Sequence, residues 1–401
     1  MLNVLIWIQT SLILLATLAI ADEGCTFELN RNIPKSSLIL KNQPTPQFLY
    51  PDQRNQIHIA KDAEIRISCA DKYLDNVFYA KEVTAKCIKN DSIRIKYHIL
   101  GKKDTQLDKL ECKAKPQLAS RSTGKRCYSN GVVNEIGYQL GKSFLKIFSI
   151  CWDDFEEKTV YSWYETSKLH LGREEKIKNT AYEGSQSFSF PIADVYEFSY
   201  QKRLFTKILR SEDLADRYIA NNNLFIIEKS PLVSKNEFIY GPEQIATFHY
   251  RNTAPLWSIF KDGNWAKVEK SVNEFIARAE NKDKYGVATG TYDIATLPNL
   301  FKEEQPLYMF TDQYDNKYLP VPKYYWKILY DHSSKNGIVF VGLHNPFVQK
   351  EKLNEYVFCA QICDQAPWLK VDNVHQDRGY VFCCDMKEFL LVTKYENMFE
   401  V

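Results

Sequence analysis

Ten cysteines, all lying between Cys25 and Cys384, constrain what this chain can fold into more than any other feature. They are Cys25, Cys69, Cys87, Cys112, Cys127, Cys151, Cys359, Cys363, Cys383 and Cys384. An even number in an exported chain reads as a disulfide set that staples loops and small sheets. Zinc is the competing reading. It is the weaker one, because no Cys-x2-Cys pair recurs and no histidine stands at a ligand spacing beside one. Export itself is expected from the first residues. Positions 1–21 carry no charged side chain, the apolar run Ser11 to Ile20 is too short for a bilayer span, and Ala19-Ile20-Ala21 is a small-x-small cleavage site before Asp22. A signal peptide over 1–21 is the expectation. An uncleaved anchor is its rival, since no Lys or Arg precedes the apolar run. Asn90-Asp91-Ser92 is a glycosylation sequon, usable only on that route.

The remaining chain is long enough for more than one core. With a net charge of +2 the whole molecule is not an obvious polyanion binder, so a nucleic-acid surface would have to be a local patch. An aromatic content of 14% argues against disorder. No later segment is apolar enough to span a membrane.

Residues 22–115 read as a small β domain. The runs at 58–69 and 89–100 alternate apolar and polar residues, and four prolines (Pro34, Pro44, Pro46, Pro51) punctuate the approach. Four cysteines fall there. A basic connector is expected over 116–126, the end of a stretch with Lys102, Lys103, Lys109, Lys113, Lys115, Arg121, Lys125 and Arg126 against three acids. A solvated linker explains that stretch equally well. The larger domain, 127–401, mixes strands (159–171, 223–233) with helices. Residues 201–219 read as one helix with Arg203, Lys207 and Arg210 on one face. Residues 266–281 read as a second, with Val268, Val272, Phe275, Ile276 and Ala279 as its buried stripe. Chemistry on that helix must come from the flank holding Glu269 and Asn273.

The stretch from Glu228 to Glu280 carries the most information. Asn252, Pro255, Gly263, Trp265 and Glu269 fall in the register of the pattern N-x-x-P-Q followed by N-x-G-x-W-x-x-(L/V)-E, and Lys229-Ser230-Pro231-Leu232 falls where that pattern has R-G-H-L. Further on, YLPVPKYYWKILYD and FVGLHNPF, and the tail with Cys359-x3-Cys363, Trp368 and Cys383-Cys384, fit the same series. The chain thus resembles the DNA/RNA non-specific endonucleases over roughly 127–401, in particular their secreted insect branch. The resemblance implies an α+β fold: a ββα-metal nuclease-like domain, with a central antiparallel sheet flanked by helices, behind a small disulfide-stapled β domain. Cys127 is expected to pair with Cys151, and the pair Cys359/Cys363 with Cys383/Cys384.

The departures from the pattern decide the expected function. The family's general base is the histidine of R-G-H; Pro231 stands there. The asparagine that binds Mg²⁺ corresponds to Lys261, and an ammonium repels a cation. The phosphate-contacting arginine one turn after the glutamate corresponds to Asn273. No histidine lies between Leu171 and Phe248, so no shift of register restores the base. His249 is the nearest substitute, and an extended reading of its segment points it away. Losing a base costs roughly 10²–10⁴-fold in rate, and losing the metal several kcal/mol more. Phosphate contacts need only cations and backbone donors. Lys229, Lys235, Lys261, Lys267, Lys270, Arg203, Lys207, Arg210 and Asn252 are therefore the expected nucleic-acid contacts. Asn252 and Glu269 could instead persist as caps and core hydrogen-bond formers. The expectation is a secreted protein that binds DNA and RNA with weak or no hydrolysis and needs no cofactor. One alternative is an active Mg²⁺-dependent endonuclease with a rearranged site; another is a module that binds host proteins.

Overall fold

The computed structural model describes residues 24–97, 101–167, 177, 180–220, 224–279, 284–375, 378–395 and 398–399. The expected signal peptide lies outside them. The chain divides into two units between Gln117 and Leu118. Among the described residues, no helix is long and apolar enough to cross a membrane.

The first unit is all β. Strands β1 (Cys25–Glu28), β2 (Leu38–Lys41), β3 (Gln56–Ile59), β4 (Glu64–Ser68), β5 (Glu82–Lys89), β6 (Ser92–Tyr97) and β7 (Gly101–Gln106) form a β1–β3 pair and a five-stranded sheet in the order β2-β4-β5-β6-β7. Their period of two is plain in β5, where Val83, Ala85 and Cys87 are buried and their neighbours are not. Cys25–Cys87 ties β1 to β5, and Cys69–Cys112 closes a second loop. Loops of that length lower the entropy of the unfolded chain by roughly 4 kcal/mol per bond. Asn90 is exposed in the β5–β6 turn, at φ 54°.

The second unit is α+β. Its spine is an antiparallel eight-stranded sheet in the order β21-β20-β19-β14-β11-β10-β9-β8. The strands are β8 (Ala119–Arg126), β9 (Val132–Leu140), β10 (Ser143–Asp153), β11 (Lys158–Thr166), β14 (Tyr285–Ile294), β19 (Pro322–Asp331), β20 (Asn336–Leu343) and β21 (Tyr380–Asp385). The stretch expected as a connector is thus the edge strand β8. Alternation did not betray it, because an edge strand buries almost nothing and here carries charge, as edges usually do. Two short ribbons, β15–β16 (Thr296–Pro298, Glu304–Pro306) and β17–β18 (Tyr308–Thr311, Lys317–Pro320), pack beside the sheet.

One face of the sheet, with Trp326, Ile328 and Val339, is covered by the C-terminal helix Met386–Thr393 through Phe389 and by Tyr395. The opposite face carries a hairpin, β12 (Ile227–Pro231) with β13 (Thr253–Trp257), and a helix at Ala266–Arg278. In chain order the helices are α1 (Phe198–Leu209), α2 (Glu212–Tyr218), α3 (Gly241–Ala246), α4 (Ala266–Arg278) and α5 (Met386–Thr393). The single helix expected over 201–219 is two. Arg210 closes α1 in a left-handed conformation, and the Ser211 hydroxyl caps α2 by accepting from Leu214 N–H. On α4, Val268, Val272 and Ile276 are buried. Phe275 stacks on Trp368 at 4.6 Å, and Ala279 lies just past the helix end.

Three disulfides lock this unit: Cys127–Cys151, Cys359–Cys384 and Cys363–Cys383.

Candidate functional site

β12, β13 and α4 form a ββα unit against the sheet, and the motif residues sit where these three meet. A helical turn, Ser258–Phe260, runs from β13 into the turn Lys261–Trp265 ahead of α4. Gly263 is required there, because a Cβ would meet the Arg378 carbonyl oxygen at 2.9 Å. Asn264 fixes the turn from below. Its amide donates to the carbonyls of Asp372 (2.8 Å) and Gly379 (2.7 Å) and accepts from Asp372 N–H at 2.9 Å. Trp265 fills the core beside it.

Lys261, expected at the position of a metal-binding asparagine, does not carry a loose charge. The ammonium meets the Glu228 carboxylate at 2.5 Å, and Ser258 donates to the same carboxylate at 2.8 Å. Burial pushes the Glu228 carboxyl up, yet Lys261 and Ser258 outweigh it and hold it below its ordinary range. An ammonium already clamped by a carboxylate supplies no oxygen to a cation, so these residues do not fit Mg²⁺. No cluster of three His, Cys, Asp or Glu that could hold a metal occurs among the described residues.

Pro231 ends β12 opposite Thr253 and brings neither a titratable group nor an N–H to the ladder. His249 does not replace the base. It is buried, its Nδ1 accepts from Arg251 N–H at 3.1 Å, and burial, with the Arg251 charge, lowers its pKa to about 4. With Nδ1 occupied as an acceptor, the proton of the neutral ring lies on Nε2, so neither nitrogen offers a free lone pair. Gly184 packs over the ring so closely that a Cβ there would clash at 2.4 Å.

Asn252, expected as a contact, is a structural clamp. It is fully buried, its Oδ1 accepts from Val233 N–H at 3.1 Å, and its amide donates to the carbonyls of Val233 (2.8 Å) and Thr247 (2.9 Å). It therefore cannot touch a phosphate. Glu269 and Asn273 share one flank of α4. The Glu269 side chain is half-buried; desolvation lifts its pKa to about 7, Lys327 and Lys261 draw it down, and the Glu237 carboxylate opposes them. The Asn273 carbonyl oxygen is buried and finds no hydrogen-bond partner among the described residues.

Beneath Glu269 lies a fully buried ion pair that motif reading did not find. Lys327 of β19 meets Glu237 at 2.6 Å and Thr289 at 2.9 Å. The signal available in the sequence was a lysine in the middle of the otherwise apolar run 324–330. Glu237 also caps the Lys235–Glu237 turn through Ser234 N–H.

The expected cations divide. Lys229 is half-buried, with its ammonium over the rings of Tyr182 (5.3 Å) and Tyr196 (5.4 Å). No described residue pairs with it directly through an ion pair or hydrogen bond. Lys235 is committed inward, donating to the Ile177 carbonyl at 2.9 Å and lying over Phe248. Lys270 lies 3.8 Å from Glu274, and Lys267 lies near Asp372. Arg203, Lys207 and Arg210 are exposed along α1 and its end, with Arg210 over the Phe301 ring at 5.8 Å. Gln201 of the same helix bonds both backbone groups of Ile227, which fixes α1 to β12.

A model of the DNA/RNA non-specific endonuclease family matches residues 132–389. The chain is similar to Salivary protein Tsal1 of Glossina morsitans morsitans, 26% identical over 285 residues that cover 69% of this chain and 68% of that protein. It is 27% identical to Salivary protein Tsal2A of the same organism over 296 residues, covering 71% and 70%. It is also 27% identical to a salivary endonuclease of Lutzomyia longipalpis over 274 residues, covering 67% of this chain and 62% of that protein.

Proposed function

The chain belongs to the DNA/RNA non-specific endonuclease family, and we propose that it is a secreted member that binds DNA and RNA through their phosphates while hydrolysing them weakly or not at all. One observation carries the reading: the position that should offer oxygen to Mg²⁺ holds the Lys261 ammonium, clamped by Glu228 at 2.5 Å. Without a cation to stabilise the pentacovalent phosphate, and with Pro231 in place of the base, the two principal sources of rate are absent. Binding needs neither. Lys229, in the middle of β12, is held over aromatic rings and pairs with no described carboxylate, which leaves its three N–H donors for a phosphate. The exposed Arg203 and Lys207 continue positive charge along α1. Contacts of this kind read no sequence. The relatives' salivary names and the five disulfides support export.

The test is a salt-titrated DNA-binding measurement with EDTA and with Mg²⁺ at constant ionic strength. Affinity should fall log-linearly with salt and be the same in both. A large Mg²⁺-dependent gain would sink the proposal.

A second reading, an active endonuclease with a rearranged site, has one observation in its favour. A Glu269 carboxyl with a pKa of about 7 is in the range a general acid or base needs. EDTA-sensitive cleavage that Glu269→Gln abolishes would establish it.

A further inference from the structure

The sheet face opposite the hairpin holds a cavity. Successive residues of a strand point to opposite faces. Tyr164 packs under the hairpin against Phe238 at 5.2 Å, so Trp163 faces the other way. There, where α5 leaves β8 to β11 uncovered, a cavity of about 540 Å³ opens, floored by Trp163 and Tyr161 and edged by Lys125, Arg126, Lys146 and Phe399. Trp163 is half-buried, with its ring 5.4 Å from Tyr161.

Two local irregularities bring the cations to it. Lys146 has the same parity along β10 as Phe148 and Ile150, which are buried against the hairpin side. A bulge between Lys146 and Phe148 shifts the register, so that Lys146 lies opposite Gly137 in the column of Glu135 and Val133. On β8 the pairing with β9 slips between Ser122 and Arg126, with Gly124 at φ +71°, and Lys125 and Arg126 line the cavity from that bow. The Cys127–Cys151 disulfide pins this end of β8 to β10. Lys125, Arg126 and Lys146 are exposed, and no described carboxylate pairs with them. The acids of the cavity have neighbours of their own: Arg121 holds Glu135, and His332 Nε2 lies 2.6 Å from Glu165.

An aromatic floor under a rim of cations that no described carboxylate pairs with matches a planar ring that carries an anion. We propose that this cavity binds a nucleoside phosphate, free or as one unit of a single strand, with the base stacked on Trp163 and the phosphate held by Lys125, Arg126 and Lys146. The volume lies within the range of small-molecule sites. The site is separate from the hairpin cleft and does not depend on how that cleft works.

The test uses the full chain carrying Lys229→Glu, so that cleft binding is weakened. It is titrated with adenosine monophosphate, with a short single-stranded oligodeoxynucleotide and with inorganic phosphate at one ionic strength. Trp163→Ala should weaken the first, the second or both by roughly 5- to 100-fold, the worth of one stacked base, and Trp163→Phe should restore most of it. Lys125→Glu with Lys146→Glu, both at exposed positions, should weaken binding at least as much, and this variant carries the test if Trp163→Ala does not fold. Adenosine monophosphate binding without oligonucleotide binding assigns the site to free nucleotides; the reverse assigns it to a strand. Inorganic phosphate binding as tightly as adenosine monophosphate overturns the proposal. So does less than a twofold change in every folded variant.

Discussion

Two ion pairs lie under the same hairpin, and they differ in what they can do. Lys327 and Glu237 are completely buried; Lys261 and Glu228 keep about a third of their side chains exposed, at 34% and 36%. The inner pair is out of reach of any ligand and joins the sheet to the turn after β12. The outer pair, proposed to occupy the family's metal-ligand position, can be remade by substitution without opening the core. One fold thus holds a sealed charge pair and a second one that solvent reaches.

The largest effect expected from this contrast is on the inner pair. Lys327→Met leaves Glu237 buried without its partner and should cost about 3–5 kcal/mol, lowering the Tm by roughly 6–20 °C for a unit of this size. Adding Glu237→Gln should recover most of the loss. Thermal unfolding of the single and double variants measures both, and a single variant as stable as the parent would erase the distinction between the pairs.

The next effect concerns Glu269, which lies between them. Burial raises its pKa from 4.5 to about 7. Between those values the folded state keeps a proton that the unfolded chain has released, so stability falls as pH rises through that window. Glu269→Gln should remove that fall, on the order of 1–3 kcal/mol between pH 4.5 and 7. Denaturant unfolding at the two pH values checks it; an unchanged slope would mean that the carboxyl is not desolvated.

The smallest effect belongs to the outer pair. Lys261→Ala breaks a partly exposed bridge and should change stability by at most about 1 kcal/mol. It should still weaken DNA binding and lower the salt slope by about one charge's worth, because Glu228 is then uncompensated. An unaltered affinity and slope would place the bound phosphate away from Lys261.

How much of this could be read from sequence follows from which interactions are local. Pro231 and Glu269 lie on the strand and the helix read from the sequence, and Lys261 lies in the turn ahead of that helix, where Gly263 and Trp265 fix the geometry within a few residues. The partner of Lys261 is 33 residues away, on a strand whose alternation says which side a residue faces but not which charge it meets. Asn252 was legible as a motif residue but not as a clamp, since its three bonds run to the backbone of Val233 and Thr247. The break between α1 and α2 was signalled by Ser211 ahead of Glu212 and Asp213, a capping sequence inside an otherwise helical pattern. The cavity around Trp163 was out of reach, because it depends on bulges that move Lys146 off its alternating face.

The claim that this cleft lost named side chains while keeping its geometry is tested most directly by putting them back. Pro231→His with Lys261→Asn should gain Mg²⁺-dependent, EDTA-sensitive cleavage of duplex DNA. Each single change should do little, since base and metal act on the same water. Asn273→Arg, added as the phosphate clamp, should increase the rate further. A correctly folded double variant that still binds DNA but remains inert with Mg²⁺, both without and with Asn273→Arg, would contradict the account.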